Sequence, residues 1–283
     1  MKLHVINTGY FKLDGGAMFG VVPKALWSRT NPADSKNLCT WAMRSLLIED
    51  GKRLMLIDCG IGNKQSEKFF SHYYLHGDVS LDISLAEKGF HRDDITDVFL
   101  THLHFDHCGG AIEYDRSKDA FRPAFKNAHY WSNSAHWKWA TEPNKREKAS
   151  FLSENILPLM ESGQLNLLND DEQYRMNAFP DIDLLFVYGH TEAQMIPHIM
   201  YKDTTIVFMA DLLPSIGHIP LPYVMGYDTR PLRTLDEKER FLKAAVQGKY
   251  TLFFQHDPVN ECCTLENTDK GVRLLETFPL SAV

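Results

Sequence analysis

The segment Thr101-His102-Leu103-His104-Phe105-Asp106-His107-Cys108-Gly109-Gly110 constrains this chain more than any other. Three imidazoles and one carboxylate fall within six residues, directly after the apolar run Val98-Phe99-Leu100. In an extended segment alternate side chains share a face, so His102, His104 and Asp106 are expected on one side. A break at Asp106-His107, ahead of Gly109-Gly110, swings His107 toward the same cavity. Two adjacent groups of nitrogen and oxygen donors result, which suits a pair of divalent metals better than a single ion.

Further donors recur in one sequence context. Leu184-Leu185-Phe186-Val187-Tyr188-Gly189 runs into His190, Thr205-Ile206-Val207-Phe208-Met209-Ala210 into Asp211, and Tyr250-Thr251-Leu252-Phe253-Phe254-Gln255 into His256. Each run is short and continuously apolar, as expected of a strand buried on both faces, and each ends at a metal-ligating residue type. Strand ends are where a rigid sheet presents polar groups to a substrate. Four donor-bearing strands spread from residue 98 to residue 256 must converge on one site, so a single domain over 1–283 is expected.

Other signals place the surrounding elements. Arg44–Glu49 and Arg53–Asp58 flank Asp50-Gly51, a hairpin signal. Ser80–Lys88 is amphipathic with Gly89 as a helix stop, and Leu235–Gln247 reads as a charged amphipathic helix ending at Gly248. Residues 111–160, rich in aromatics, proline and charge, are expected to form a helical insertion near the site. Within it, Tyr130-Trp131 and His136-Trp137-Lys138-Trp139 either pack the insertion or line an acyl-chain pocket. The mixed-sign run Lys145-Arg146-Glu147-Lys148 reads as a solvated helix face.

The HxHxDH pattern followed by a later His, Asp and His resembles the metallo-β-lactamase fold superfamily of metallohydrolases, over nearly the whole chain. The resemblance implies a four-layer αββα sandwich of α/β (α+β) class and a dinuclear site. It implies that His102, His104 and His190 hold one metal, that Asp106, His107 and His256 hold the other, and that Asp211 bridges them. Met18-Phe19-Gly20-Val21-Val22-Pro23-Lys24, Ala210-Asp211-Leu212-Leu213-Pro214 and Phe254-Gln255-His256-Asp257 resemble the branch containing N-acyl-homoserine-lactone lactonases and organophosphate-hydrolysing relatives. That branch implies lactone opening, with Asp106 and Asp211 catalytic and a homodimeric assembly. Two positions depart from the pattern. The family's G-H-x-x-G-H becomes Gly189-His190-Thr191-Glu192-Ala193-Gln194, keeping the first His and losing the second. Pro214 stands where some lactonases carry a Tyr after the bridging Asp, so that role does not transfer, and Tyr223 or Tyr227 is its spatial candidate.

Met18, Phe19, His218 and Tyr223 are the candidate substrate-pocket residues. Gly15-Gly16-Ala17-Met18-Phe19-Gly20 reads either as a mobile lid or as a glycine-rich turn. His218 reads either as a cavity residue or as a solvated loop histidine. Two dications would lower the pKa of a shared water from 15.7 toward ~7, supplying a nucleophile without Ser or Cys. Five His and two Asp admit zinc, manganese, iron or cobalt, with zinc the default. The alternatives are phosphotriester, aryl ester, thioester or β-lactam hydrolysis, flavodiiron-type redox chemistry, and a non-catalytic metal-binding protein. His104 stands where flavodiiron proteins usually carry Glu, which favours hydrolysis.

Composition narrows the partners. With 30 Lys+Arg against 37 Asp+Glu, the net charge is −7, and no basic cluster suggests a nucleic-acid surface. No stretch approaches the ~20 apolar residues of a membrane span. The five cysteines are odd in number, include the vicinal Cys262-Cys263 and form no CxxC, so reduced thiols and a cytoplasmic location are expected. Cys108 adjoins the histidine motif, but the His/Asp set is complete without it, and a structural role is expected.

Overall fold

The hairpin signal at Asp50-Gly51 is met by a two-residue connection in which Asp50 pairs with Arg53 and Gly51 takes a left-handed φ of 61°. A computed structural model describes all residues, 1–283. The chain divides into two compact units, Met1–Tyr10 with Met43–Asp171, and Phe11–Ala42 with Glu172–Val283. In chain order the first eight strands are β1 (Lys2–Asp14), β2 (Leu38–Asp50), β3 (Arg53–Ile57), β4 (Asp97–Phe99), β5 (Ile112–Asp115), β6 (Ala120–Pro123), β7 (His129–Asn133) and β8 (Leu165–Leu168). Six form a sheet in the order β1-β2-β3-β4-β7-β8, and β5 and β6 pair as a separate hairpin. The remaining strands, β9 (Tyr174–Phe179), β10 (Ile182–Val187), β11 (Gln194–Tyr201), β12 (Thr204–Phe208), β13 (Thr251–Phe253), β14 (Cys262–Thr268) and β15 (Gly271–Phe278), form a seven-stranded sheet in reverse chain order. The helices are α1 (Gly15–Phe19), α2 (Lys24–Trp27), α3 (Glu67–Ser71), α4 (Leu81–Glu87), α5 (Phe105–Cys108), α6 (Ser134–Thr141), α7 (Ser153–Glu161) and α8 (Pro231–Gln247).

The runs that end in donors are interior strands. β4 lies between β3 and β7 and is parallel to both, and β13 is parallel to β12. Parallel neighbours require long crossovers, and the segments carrying α3 with α4, and α8, supply them. Val98, Phe99, Ile206, Val207, Leu252 and Phe253 are buried, which accounts for the unbroken apolar runs. The first unit's core gathers Leu47, Leu56, Val98, Leu100, Leu103, Tyr130 and Leu159. α4 begins at Ser80, whose hydroxyl caps Ile83 N–H, and Gly89 beyond its end takes φ 83°.

Residues 111–160 differ from the expected helical insertion. They hold the β5–β6 hairpin and β7, an integral strand of the six-stranded sheet, as well as α6 and α7. In β7, Tyr130, Ser132 and Asn133 are buried although two of them are polar, which conceals the strand from a hydrophobicity pattern. The run Lys145-Arg146-Glu147-Lys148 is also not a helix face. It forms a turn, and Glu147 is buried at 3 % exposure.

Candidate metal centre

Within the first unit, the chain leaves β4 and stays extended through His104 (φ −65°, ψ 149°). The break comes at Phe105, earlier than the sequence suggested, because His107 and Cys108 N–H both bond back to His104 C=O and wind α5. Asp106 therefore rides on the helical turn with His107, and does not share the extended face with His102 and His104. Gly109 and Gly110 are required by close approach. A Cβ at either would lie 2.1 Å from a backbone oxygen, of Ile61 or Cys59 respectively.

Asp58, at the end of β3, organises this turn. Buried and held at φ 55°, its carboxylate accepts from Thr101 N–H and Thr101 Oγ1, each at 2.8 Å, and from His107 Nδ1 at 3.0 Å. The Thr101 hydroxyl proton is thereby committed, so Thr101 Oγ1 accepts from His102 Nδ1 at 3.1 Å. His102 and His107 consequently both present the Nε2 lone pair. His104 is reversed. Its Nδ1 lies 3.1 Å from His102 Nε2, and its Nε2 lies 3.2 Å from Glu147 Oε1. Asp106 Oδ2 sits 3.7 Å from His107 Nε2.

Within the second unit, three strand ends deliver His190, Asp211 and His256. Glu237 of α8 accepts from Tyr188 N–H and Gly189 N–H at 3.0 and 2.9 Å, fixing the loop after β10. His190 Nδ1 donates to buried Asp228 at 2.8 Å, and His256 Nδ1 donates to Ala42 C=O at 2.8 Å. Asp211 stands between the two rings, with Oδ2 3.0 Å from His190 Nε2 and Oδ1 3.0 Å from His256 Nε2. A lone pair facing a carboxylate oxygen at that distance is repulsive unless a cation, a proton or a metal, lies between. His190 shows the demand. Burial acts to lower its pKa, yet Asp211 and Asp228 prevail and push it up to about 10.

All five imidazoles thus have one nitrogen committed to a neighbouring acceptor, the arrangement that fixes a metal-ligating histidine in the correct tautomer. Cys108 stays outside this arrangement. Buried, it donates to Leu103 C=O at 3.3 Å, and burial pushes its thiol up to about 12.

Residues 44–256 match the family model described as the metallo-beta-lactamase superfamily. The chain belongs to that superfamily. Its mixed α/β architecture matches solved members of the fold. A probable metal-dependent hydrolase from Staphylococcus aureus is 31 % identical, with a TM-score of 0.85 over 98 % of both chains. AidC, a dizinc quorum-quenching lactonase solved with a product, superposes at TM-score 0.78 and 20 % identity over 99 % of this chain and 97 % of its own. An N-acyl homoserine lactonase of Bacillus cereus is 22 % identical over 90 % of this chain and 93 % of its own length.

The candidate pocket residues all fall in the second unit of this superfamily member. Met18 and Phe19 are buried on α1, and Tyr223 is half-buried with its ring edge-on to Phe19 at 6.3 Å. His218 is neither solvated nor available as a base. It is buried and stacked on Phe19 at 4.4 Å, its Nε2 donates to Met18 C=O at 2.9 Å, and its Nδ1 accepts from Ser215 Oγ at 2.9 Å. The glycine-rich segment is a short helix capped by Asp14 and tied down by Gly226 N–H on Ala17 C=O. Sequence reasoning missed Asp58, Asp228 and Glu147. Asp58 carried the same signal as the recognised donors, since Leu54-Met55-Leu56-Ile57 is an apolar run ending in a carboxylate. Asp228 and Glu147 lie in polar loops without such a signal.

Proposed function

We propose that this metallo-beta-lactamase superfamily member is a dinuclear metal-dependent hydrolase that opens a lactone ring, of the acyl-homoserine-lactone type. The observation that carries the reading is Asp211, whose two oxygens face two different histidines at 3.0 Å, as a bridging carboxylate requires. His102, His104 and His190 are assigned to one metal, Asp106, His107 and His256 to the other, and Asp211 to both. Lactonase relatives that span about nine-tenths of the chain support the substrate class. Zinc is the proposed ion, given the dizinc lactonase among the structural neighbours.

When bound, two divalent cations supply Lewis acidity and a water acidified toward neutral pH. The chain's own contribution is orientation and proton handling. Asp58, Asp228, Ala42 C=O, Thr101 and Glu147 hold the five rings in the tautomers that ligation would need. Asp106, only partly buried on α5, is assigned the proton transfer to the leaving alkoxide oxygen. His218 cannot share this work, because both of its nitrogens are bonded and burial pushes its pKa down to about 3. Five free cysteines accord with a reducing, cytoplasmic setting, and no helix is long and apolar enough to cross a membrane. A homodimer belongs to the same reading, and light scattering tests it.

Metal quantification paired with a panel of lactone, aryl ester, phosphotriester and β-lactam substrates tests the proposal. Two metals per chain and lactone opening that chelation abolishes and zinc restores are expected. A fully metallated protein inert on every lactone, or faster on a phosphotriester, overturns the substrate assignment. Metal content near zero after zinc loading overturns the dinuclear one.

A further inference from the structure

Helix α6 and the loop that follows it reach the histidine motif at three consecutive residues. His136 Nε2 accepts from Leu103 N–H at 2.8 Å, Glu147 Oε1 meets His104 Nε2 at 3.2 Å, and Ser150 C=O accepts from Phe105 N–H at 3.0 Å. Two of these contacts hold backbone. The contact from Glu147 determines which ring nitrogen of His104 carries the proton.

Glu147 is itself oriented by groups that can only donate to it. Trp139 Nε1 and Asn144 Nδ2 both bond to Oε2 at 2.7 Å. An indole N–H has no acceptor role, and the Asn144 amide cannot be flipped, because its Oδ1 already accepts from Arg146 N–H at 2.8 Å and Glu147 N–H at 3.1 Å. The carboxylate therefore presents Oε1 to His104 as an acceptor, and His104 answers with Nε2–H. His102 Nε2 offers a competing acceptor 3.1 Å from His104 Nδ1, but the charged carboxylate is the stronger of the two, so the proton is drawn to His104 Nε2.

We propose that Glu147 is a positioning residue that locks His104 in the Nε2–H tautomer, coupling the 134–150 segment to the affinity of one metal site. The inference rests on the metal-centre reading above, but the tautomer is readable without metal. His104 would bind through Nδ1, whereas the other four histidines present Nε2, so it is the one ligand that an Nδ1–H tautomer would disable. The isosteric change Glu147→Gln is then more informative than truncation. Trp139 and Asn144 draw the amide oxygen to their side, the amide NH2 faces His104 Nε2, and that nitrogen must become the acceptor. The His104 proton moves to Nδ1, and the ligand is blocked with no loss of volume.

The experiment records ring 15N shifts of the metal-free protein by NMR, with zinc affinity measured by chelator competition. The wild type is expected to show His104 as the Nε2–H tautomer, and Glu147→Gln as Nδ1–H. One zinc site is expected to weaken about 10–100-fold and the other to be spared. Adding Trp139→Phe to Glu147→Gln removes one donor from the far side, and recovery of part of that affinity is expected. Unchanged His104 shifts in Glu147→Gln overturn the proposal, as does equal weakening of both sites, which marks a general packing defect. If Glu147→Gln is unfolded by circular dichroism, the wild-type tautomer decides, and an Nδ1–H signal there overturns it. Wild-type protein that binds no zinc removes the hydrolase reading while leaving the tautomer result standing.

Discussion

At the scale of single residues, carboxylates behind the histidines do as much to define this centre as the ligands themselves. Asp58 accepts three hydrogen bonds at once, two from Thr101 and one from His107, and through Thr101 it also sets the tautomer of His102. Its left-handed backbone costs on the order of 1–3 kcal/mol, a strain tolerated where function fixes the geometry. Removing the carboxylate in Asp58→Ala strands buried donors at about 1–3 kcal/mol each. We expect that variant to lose roughly 10–100-fold in zinc affinity as well. Chelator competition beside denaturant unfolding reads both quantities, and an affinity within twofold of wild type would contradict the assignment of Asp58. Ala193 and Ala210 also take positive φ, 48° and 41°, next to His190 and Asp211. At Ala193 the superfamily pattern often has Gly, so this chain keeps the backbone turn without the residue that adopts it most readily.

Among the elements, α8 controls the His190 loop. A Cβ at Gly189 would meet Thr234 Oγ1 at 2.2 Å and Thr234 N at 2.4 Å, and Glu237 one turn further on accepts from the loop's N–H groups. Gly189→Ala is therefore expected to push the loop off the helix, costing about 1–3 kcal/mol of stability and weakening zinc binding. Denaturant midpoints indistinguishable from wild type would refute the close-packing argument. The α1 segment allows a pH prediction through His218, whose folded pKa of about 3 lies below the ordinary 6.5 because burial disfavours its charged form. Below pH 6.5 the unfolded chain takes up a proton that the folded one refuses. The histidine's contribution is thus full above that pH and drains away as pH falls toward 3, by about 2 kcal/mol between pH 7 and pH 5. Metal-free wild type and His218→Gln should converge in stability over that interval, and parallel curves would exclude the buried neutral ring. How legible these elements were in the sequence follows from burial. β4, β10, β12 and β13 announced themselves as unbroken apolar runs, and their ligands followed. α8 began at Pro231, four residues before its apolar periodicity, because proline suits a first helical turn. β7 and Glu147 stayed hidden because buried polar residues leave no hydrophobic pattern, and a carboxylate in a charged run looks solvated.

For the molecule as a whole, the proposed centre takes four donors from residues 102–107 and three from residues 190–256. Metal binding at the proposed centre favours the folded chain by mass action. At free zinc a thousandfold above Kd, each site adds about 4 kcal/mol to the folded state. For a domain of 150–250 residues one kcal/mol moves Tm by about 2–4 °C, so stripping one site should lower Tm by roughly 8–16 °C. Calorimetry of zinc-loaded and chelated protein checks the size, and the shape of the transition checks the ligand assignment. Shared metals should give one cooperative transition when loaded and a broader or split one when stripped, with zinc restoring the first form. Should chelation lower only one component of a split transition, that unit alone would be holding the metal. Asp211 would then lose its bridging role, and lactone turnover should survive removal of the donors in the unaffected unit.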